Sequence, residues 1–192
     1  EMVIRDWSSD VCSSDLLLAL ILTIIPFANG QEAPKIKWYS IEEAVELNNK
    51  AKAKDKKKFF VDVYTDWCGW CKKMDANTFT DPVIIKYMNE NFWPVKFDAE
   101  SSAQVTINGQ SYVNPNPGVK RSTHQLAIAL LNKRLSYPSF AFLDQEVKLI
   151  TVLPGYNTPE QLEPVLHFIV SEAYKNQSFD QFKSTFKGTF GN

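Results

Sequence analysis

Five residues, Trp67-Cys68-Gly69-Trp70-Cys71, constrain this 192-residue chain more than any other segment. They hold the only closely spaced cysteines of the sequence, and they come directly after residues 59–64, an apolar run that is typical of a buried strand. Two thiols three positions apart at the start of a helix can close a small disulfide and open it again. The segment therefore predicts redox chemistry at the junction between a strand and a helix.

The composition is that of a globular domain with a segment appended. The chain is 44% hydrophobic and 22% charged, which suffices for a sizeable core at this length. Its formal net charge is -1 at pH 7, and a chain this close to neutrality is not expected to bind a polyanion. We therefore predict one domain without a nucleic-acid partner.

The appended segment is N-terminal. Residues 16–27 are almost unbroken apolar sequence, too short to cross a bilayer comfortably, and Ala28-Asn29-Gly30 offers the small residues that a signal peptidase requires. We predict that residues 1–30 are a signal peptide and that residues 31–192 form the domain, exported to the periplasm or secreted. An uncleaved membrane anchor is the alternative, and it would be the chain's only link to a membrane.

The first fifteen residues do not fit a signal peptide, whose leading region should be basic. Residues 1–15 carry Asp6, Asp10 and Asp15 against a single arginine. We interpret this stretch as an atypical and non-native leader. Under that interpretation, Cys12 has no role.

An α/β unit is predicted around the cysteine motif. Ser40 and Glu43 form a capping box, which indicates a helix ahead of the apolar strand. Asp81-Pro82 is typical of the N-cap and first residue of another helix, and residues 93–97 return to a strand pattern. Strand, helix and strand at this spacing predict an α/β fold.

Residues 99–121 interrupt this alternation. Within them, residues 105–107 and 111–113 flank Asn108-Gly109-Gln110, and Asn-Gly is the strongest short hairpin signal because both residues tolerate positive φ. We predict a small β-hairpin followed by a proline-rich turn. The insertion is either a recognition arm over the active site or a decoration of the fold.

The second half of the chain predicts two strands and further helices. Ser122 and Gln125 are typical of a helix start, and the helical pattern runs to about residue 135. Strands are predicted at residues 139–143 and 149–153, and Thr158-Pro159 opens another helix. Three phenylalanines at helical spacing follow, which we interpret as a packing face rather than a ligand site: Phe179, Phe182 and Phe186.

These features together resemble the secreted thioredoxin-like proteins of the thioredoxin-fold family. Residues 61–71, Val-Asp-Val-Tyr-Thr-Asp-Trp-Cys-Gly-Trp-Cys, are similar to that family's active-site pattern in order and spacing. Tyr137-Pro138 stands where the family has its cis-proline. The chain departs from the family pattern at Trp70, which replaces the usual proline.

The resemblance covers about residues 37–174 and implies a fold. It is the α/β thioredoxin fold, a central mixed β-sheet flanked by helices. The insertion at about residues 99–121 would add the β-hairpin, and residues 175–192 would form a C-terminal helical extension.

The cysteines have distinct expected roles. A cysteine at a helix N-terminus gains from the unpaired N–H groups and the helix dipole, which in such motifs bring its pKa to about 3.5 to 7.5. Cys68 is therefore predicted to be the nucleophile. Cys71, one helical turn deeper and less exposed, is predicted to resolve the mixed disulfide.

Asp62 is the predicted proton acceptor for Cys71. Burial in a strand would raise the pKa of its carboxyl and make it a base near neutral pH. The resemblance places a lysine partner at Lys96, which would moderate that shift. The alternative is that Asp62 is a solvated polar residue at a strand edge.

The remaining predicted site residues bind substrate. The resemblance implies that a cis Pro138 presents the backbone of Tyr137 to an extended substrate segment. Trp67 and Trp70 would form an aromatic rim around Gly69, and Trp67 is the one of the two expected to be more packed.

The predicted function is thiol-disulfide exchange with exported proteins that carry disulfides or thiols. Without a histidine in the motif, we favour a reductase or general exchanger over a strong oxidant, with a membrane protein as its electron donor. No cofactor is expected besides the Cys68–Cys71 disulfide itself. A non-catalytic binding or chaperone module with the same fold is the alternative.

A metal site and a purely structural disulfide are disfavoured. Zinc at the two motif cysteines would need two further ligands, and apart from carboxylates only Cys12, His124 and His167 remain. We expect surface or packing roles for both histidines. A structural disulfide with so tight a loop would restrain little of the chain.

Overall fold

A computed structural model of the chain describes residues 33–190. The predictions for the signal peptide, the leader and Cys12 lie outside the described residues. The described part of the chain has six α-helices: α1 (Ile41–Lys50), α2 (Gly69–Ala76), α3 (Pro82–Asn91), α4 (Gln125–Leu130), α5 (Pro159–Val170) and α6 (Phe179–Thr185). The strands are β1 (Lys58–Tyr64), β2 (Phe92–Asp98), β3 (Val105–Ile107), β4 (Gln110–Tyr112), β5 (Ser139–Leu143) and β6 (Leu149–Pro154).

The central sheet has four strands in the order β2-β1-β5-β6. β1 pairs in parallel with β2 and antiparallel with β5, and β6 pairs antiparallel with β5. The sheet is therefore mixed and flanked by helices, as the sequence predicted. β1, which leads into the cysteine motif, is a central strand with neighbours on both sides.

Alternate residues of β1 serve two hydrophobic cores, one on each face of the sheet. Phe59, Val61 and Val63 pack in the core that includes side chains of α1, α4 and the hairpin. Phe60 packs in the opposite core with side chains of α2, α3 and α5. Burial of such a side chain stabilises the fold by about 1.5 to 3 kcal/mol, so the two cores fix β1 and the loop that follows it.

The helix starts predicted ahead of and behind the motif are confirmed. Ser40 and Glu43 form the reciprocal capping box of α1, with backbone-to-side-chain hydrogen bonds of 3.2 and 2.8 Å. Asp81 accepts hydrogen bonds from the backbone of the first turn of α3, and Pro82 is the first residue of that helix.

The hairpin of the insertion is shorter than predicted by one loop residue. Asn108-Gly109 joins β3 to β4, with φ of 49° and 81°, so both residues adopt the positive φ that the pattern requires. Gln110, predicted to be in the loop, pairs with Ile107 as the first residue of β4. The second strand therefore starts and ends one residue earlier than the sequence indicated.

The prediction for the helix after the insertion is wrong at both ends. α4 begins after His124, whose Nδ1 accepts the N–H of Leu126 at 3.0 Å, whereas the hydroxyl of Ser122 donates to Asn114 instead. The helix ends at Leu130 because residues 132 and 133 take a left-handed conformation. His124 is buried, so of the two expected roles it has the packing one.

The C-terminal residues fold back onto α5. Phe179 and Phe182 contact Phe168 with ring centroids 5.4 and 5.3 Å apart, and Phe186 contacts His167. The phenylalanine stripe is thus a packing face. None of the helices among the described residues has both the length and the hydrophobicity needed to span a bilayer.

Candidate active site

The motif cysteines lie where β1 gives way to α2, and they form a disulfide. After β1 the chain turns, with the N–H of Cys68 donating to the carbonyl of Thr65 at 3.1 Å. Cys68 is the N-cap of α2, and its sulfur accepts the N–H of Cys71 at 3.0 Å. The turn and the cap together fix the sulfur of Cys68 against the open end of the helix.

This position suits a thiolate on Cys68 once the disulfide is reduced. The N–H groups in the first turn of a helix lack intrahelical partners, and the helix dipole favours negative charge there. The two cysteines are nearly equally covered, with exposures of 5% for Cys68 and 3% for Cys71. They therefore differ in their position on the helix far more than in their access to solvent.

Asp62 is buried in the middle of the sheet, with an exposure of 1%. It is not a solvated edge residue, because β1 has neighbours on both sides. Its Oδ2 accepts a hydrogen bond from Lys96 at 2.7 Å, and its Oδ1 has no hydrogen-bond partner among the described residues. Burial raises the pKa of Asp62 to about 6, although the charge and hydrogen bond of Lys96 act in the opposite direction.

Lys96 connects Asp62 to α2, because its ammonium group also forms an ion pair with Asp75. Burial acts to lower the pKa of Lys96, but the two carboxylates outweigh it and raise that pKa. Three aromatic rings surround the ammonium at 5.0 to 5.5 Å, those of Trp38, Tyr64 and Phe79. Lys96 is thus held as a cation between the two carboxylates.

Asp75 was missed in the sequence, although a signal for it exists. It lies four residues after Cys71 on α2, so both side chains leave the same face of the helix one turn apart. Its negative charge contributes to the raised pKa of Asp62. The ion pair with Lys96 brings the buried carboxylate of β1 to the helix that carries the cysteines.

Trp67, which directly precedes Cys68, is half exposed, with an exposure of 50%. Its indole N–H donates to Glu100 at 2.9 Å, the guanidinium of Arg121 lies 5.2 Å from its ring centroid, and the ring of Tyr137 meets it edge-on at 5.9 Å. The ring is therefore restrained on several sides while one half of it faces solvent.

Trp70, between the two cysteines, is also exposed, with an exposure of 57%. Its ring lies 5.6 Å from that of Tyr156, in the segment between β6 and α5, and the ammonium of Lys73 stands 4.9 Å from Trp70 and 5.0 Å from Tyr156. Each motif tryptophan therefore pairs with a tyrosine and a cation, and Trp67 is only slightly the more packed of the two.

The remaining predicted site residues lie at the same end of the sheet. The Tyr137–Pro138 peptide bond is cis, Pro138 is buried, and its carbonyl accepts the N–H of Gly155 at 2.8 Å. A Cβ added to Gly69 would meet no atom within 4 Å, so the space around that position tolerates a side chain.

Among the residues that contact the predicted ones, sequence reasoning missed these: Lys73, Asp75, Glu100, Arg121 and Tyr156. Glu100 and Arg121 lie at the two ends of the predicted insertion, which was the one available signal for them. Among residues 33–190, no group of three or more histidine, cysteine or acidic side chains could hold a metal ion.

Comparison with known proteins agrees with this fold. A family model for a thioredoxin-like domain matches residues 46–169. The chain is 34% identical over 79 residues to the thiol:disulfide interchange protein DsbD of Haemophilus ducreyi, a match that covers 36% of this chain and 14% of that protein. The chain thus spans about a seventh of the length of that curated relative.

One solved structure supports the same fold. A thioredoxin-fold protein from Helicobacter pylori superposes with a TM-score of 0.51 at 18% identity, covering 70% of this chain and 84% of that one. A thioredoxin from Thermus thermophilus gives a TM-score of 0.48 at 17% identity, covering 80% and 99% of the two chains. At such low identity the likeness concerns the fold alone.

Proposed function

This chain belongs to the thioredoxin-like family and is a thiol-disulfide oxidoreductase, and we propose that it acts on exported proteins as a reductase or general disulfide exchanger. The observation that carries the proposal is the placement of Cys68 as the N-cap of α2, with its sulfur bonded to Cys71. The arrangement supplies a nucleophile and a resolving thiol within one helical turn.

The first step is attack by the thiolate of Cys68 on a substrate disulfide. A bond forms between Cys68 and one substrate sulfur, the substrate S–S bond breaks, and the other substrate sulfur leaves as a thiolate that takes up a proton. The N–H groups and dipole at the start of α2 support this assignment, because they favour negative charge on the sulfur nearest the helix end.

The second step is attack by Cys71 on the sulfur of Cys68. Cys71 must lose its proton, and the substrate leaves as its second thiol. Two electrons have then passed from the motif to the substrate. The motif is now a disulfide, and the substrate disulfide has become two thiols. Electrons from an external donor, for which we propose a membrane protein, return the motif to its dithiol.

Asp62 is the proposed acceptor of the Cys71 proton. The support is its burial, its raised pKa of about 6 and a carboxylate oxygen with no hydrogen bond among the described residues. Lys96 would tune it, since the ammonium pairs with Asp62 and with Asp75, one turn beyond Cys71 on α2. A base with a pKa near the working pH is the most effective proton acceptor.

Substrate binding is proposed for the exposed surface around the disulfide. Trp67 and Trp70 offer aromatic faces on either side of Gly69, and Tyr137 with Pro138 offers a backbone edge against which an extended segment can lie. A polypeptide fits this surface well, because aromatic rings give large contact area at low entropic cost.

The proposed direction of electron flow, reduction of the substrate, rests on the cysteine motif and on the relative from Haemophilus ducreyi. The motif contains no histidine. The Haemophilus ducreyi protein is named a thiol:disulfide interchange protein, which supports exchange with another dithiol protein as the source of electrons. Potentials of such motifs span about -270 to -120 mV, or about 7 kcal/mol for two electrons, so the direction has to be measured. Export places the enzyme in an oxidising compartment, where a reductase needs that donor.

Insulin reduction and a glutathione titration test this function. The wild type should reduce insulin with the electrons of a dithiol donor, Cys68→Ser should abolish turnover, and Cys71→Ser should accumulate a mixed disulfide on Cys68. A potential near -120 mV would reverse the proposed direction. A Cys68→Ser protein that keeps its role in the cell would instead identify a non-catalytic binding or chaperone module.

A further inference from the structure

The insertion, residues 99–121, reaches the active-site rim from both of its ends. Glu100 accepts the indole N–H of Trp67, and the guanidinium of Arg121 lies 5.2 Å from the centroid of the same ring. Tyr137, which precedes the cis-proline, closes a third side of the ring. The ring is still half exposed, so these contacts orient it without covering it.

A partly buried polar network ties the two ends of the insertion together. The side-chain amide of Asn114 donates to the carbonyls of Glu100 and Ser122 at 3.3 and 2.9 Å, and its oxygen accepts the hydroxyl of Ser122 at 2.6 Å. The N–H of His124 donates to the carbonyl of Ala99 at 2.8 Å. Glu100 and Arg121 are therefore presented to Trp67 from one fixed framework.

Arg121 has an uncommon backbone conformation. Its φ is 65°, in the left-handed region that a residue with a side chain seldom adopts. Among residues 33–190 no carboxylate forms a salt bridge with its guanidinium, which lies over the indole of Trp67. Unfavourable backbone conformations of this kind persist where the surrounding structure holds them, often at functional sites.

We propose that the insertion selects polypeptide disulfides by holding Trp67 as a fixed platform next to Cys68, with Arg121 as the residue that positions the ring. This inference rests on the proposed exchange function. A free surface tryptophan changes rotamer, and binding would have to order it, whereas a ring already held binds without that cost. A polypeptide extends beyond its reacting sulfurs and can lie on the ring, while a small disulfide gains less from it.

The test compares Arg121→Ala with Arg134→Ala, an equal change at an exposed arginine outside the insertion. Rates are measured with insulin and with oxidised glutathione. Loss of a cation that faces an exposed ring should lower the ratio of kcat/KM for insulin to that for glutathione by about two- to fivefold, through KM for insulin. Arg134→Ala should keep the wild-type ratio, and Arg121→Lys should recover part of it, since lysine keeps the charge but not the planar guanidinium.

A spectroscopic readout separates positioning from a general structural effect. The indole N–H resonance of Trp67, assigned with Trp67→Phe, should shift or broaden in Arg121→Ala and stay in place in Arg134→Ala. The same samples can be titrated with an unreactive insulin B-chain peptide whose cysteines are replaced by serine, and binding should weaken in Arg121→Ala.

The outcomes distinguish this inference from the proposed exchange function on which it rests. Equal ratios, equal Trp67 resonances and equal peptide binding for the two arginine variants would overturn the selection role while leaving disulfide exchange intact. Absence of reduction by the wild type would count against the proposed function, and the Trp67 resonance with the peptide titration would still decide whether Arg121 positions Trp67 for binding.

Discussion

Asp62 and Lys96 are register partners on the parallel strands β1 and β2, and the ammonium of Lys96 donates to the Asp62 carboxylate at 2.7 Å. The pairing joins a fully buried acid to a lysine that also reaches α2 through Asp75. A carboxylate held in this way costs stability when it is ionised, because burial disfavours its charged form. An unfolding experiment can measure this free-energy cost of the ionised Asp62 without any substrate.

Replacement of Asp62 by asparagine should stabilise the protein above pH 6. The pKa of Asp62 is about 6 in the fold against 3.8 for an ordinary aspartate, so the folded state binds more protons than the unfolded state between those values. The contribution of Asp62 to wild-type stability should therefore fall as pH rises from about 4 through 6, and that contribution is absent in Asp62→Asn. The difference in unfolding free energy between Asp62→Asn and the wild type should reach at most about 3 kcal/mol, reduced by the ion pair with Lys96 that the variant lacks. Urea unfolding from pH 4 to 8 measures this difference, and a difference that does not change with pH would contradict the raised pKa.

Lys96→Met should move the pH dependence of turnover to higher pH. Lys96 lowers the pKa of Asp62, so without it the acid needs a higher pH to ionise and accept a proton from Cys71. The measurement is insulin reduction as a function of pH, with Lys86→Met, an exposed lysine on α3, as the control. If the midpoint of the curve of rate against pH is unchanged in Lys96→Met, or persists in Asp62→Asn, Asp62 is not the proton acceptor.

Trp70→Ala should weaken recognition of protein substrates. Its ring is exposed beside the disulfide and is braced by Tyr156 and Lys73, which makes it a candidate anchor for a bound polypeptide. We expect KM for insulin to rise about five- to thirtyfold, corresponding to about 1 to 2 kcal/mol. Leu47→Ala, a change at an exposed apolar side chain on α1, should leave KM where it is. Equal KM values for the two variants would rule out Trp70 as an anchor.

The cap of α4 gives a test of the fold around the insertion. His124→Ala removes the ring that accepts the N–H of Leu126 and packs against Phe97, whereas His124→Asn restores a good N-cap in a smaller side chain. Thermal unfolding should rank the asparagine variant above the alanine variant by about 1 kcal/mol. Equal stabilities would mean that the cap does not contribute, and that the ring acts through its packing and its hydrogen bond with the carbonyl of Ala103.

The sequence predicted what local patterns control. The Ser40 capping box, the Asn108-Gly109 turn and the strand that leads into Cys68 depend on neighbouring residues, and the structure has all three. The α4 start was missed because Ser122 bonds to Asn114 instead of capping, and only the tertiary fold decides between those partners.

The rim was harder to predict than the cysteines. Arg121 and Tyr156 approach the two tryptophans from segments far away in sequence, and no short-range pattern carries that information. Asp75 was visible in principle from its helical spacing to Cys71, but its pairing with Lys96 requires the register of β2 against β1.

The pH dependence of alkylation tests the central claim most directly. The reduced protein is treated with iodoacetamide across pH 3 to 10, and peptide mapping follows Cys68 and Cys71 separately. Cys68 should react first, with a midpoint between about pH 3.5 and 7.5, because its sulfur lies at the N-terminus of α2. If instead both cysteines react equally slowly and only as the pH approaches about 8.5, the ordinary thiol value, Cys68 is not an activated nucleophile.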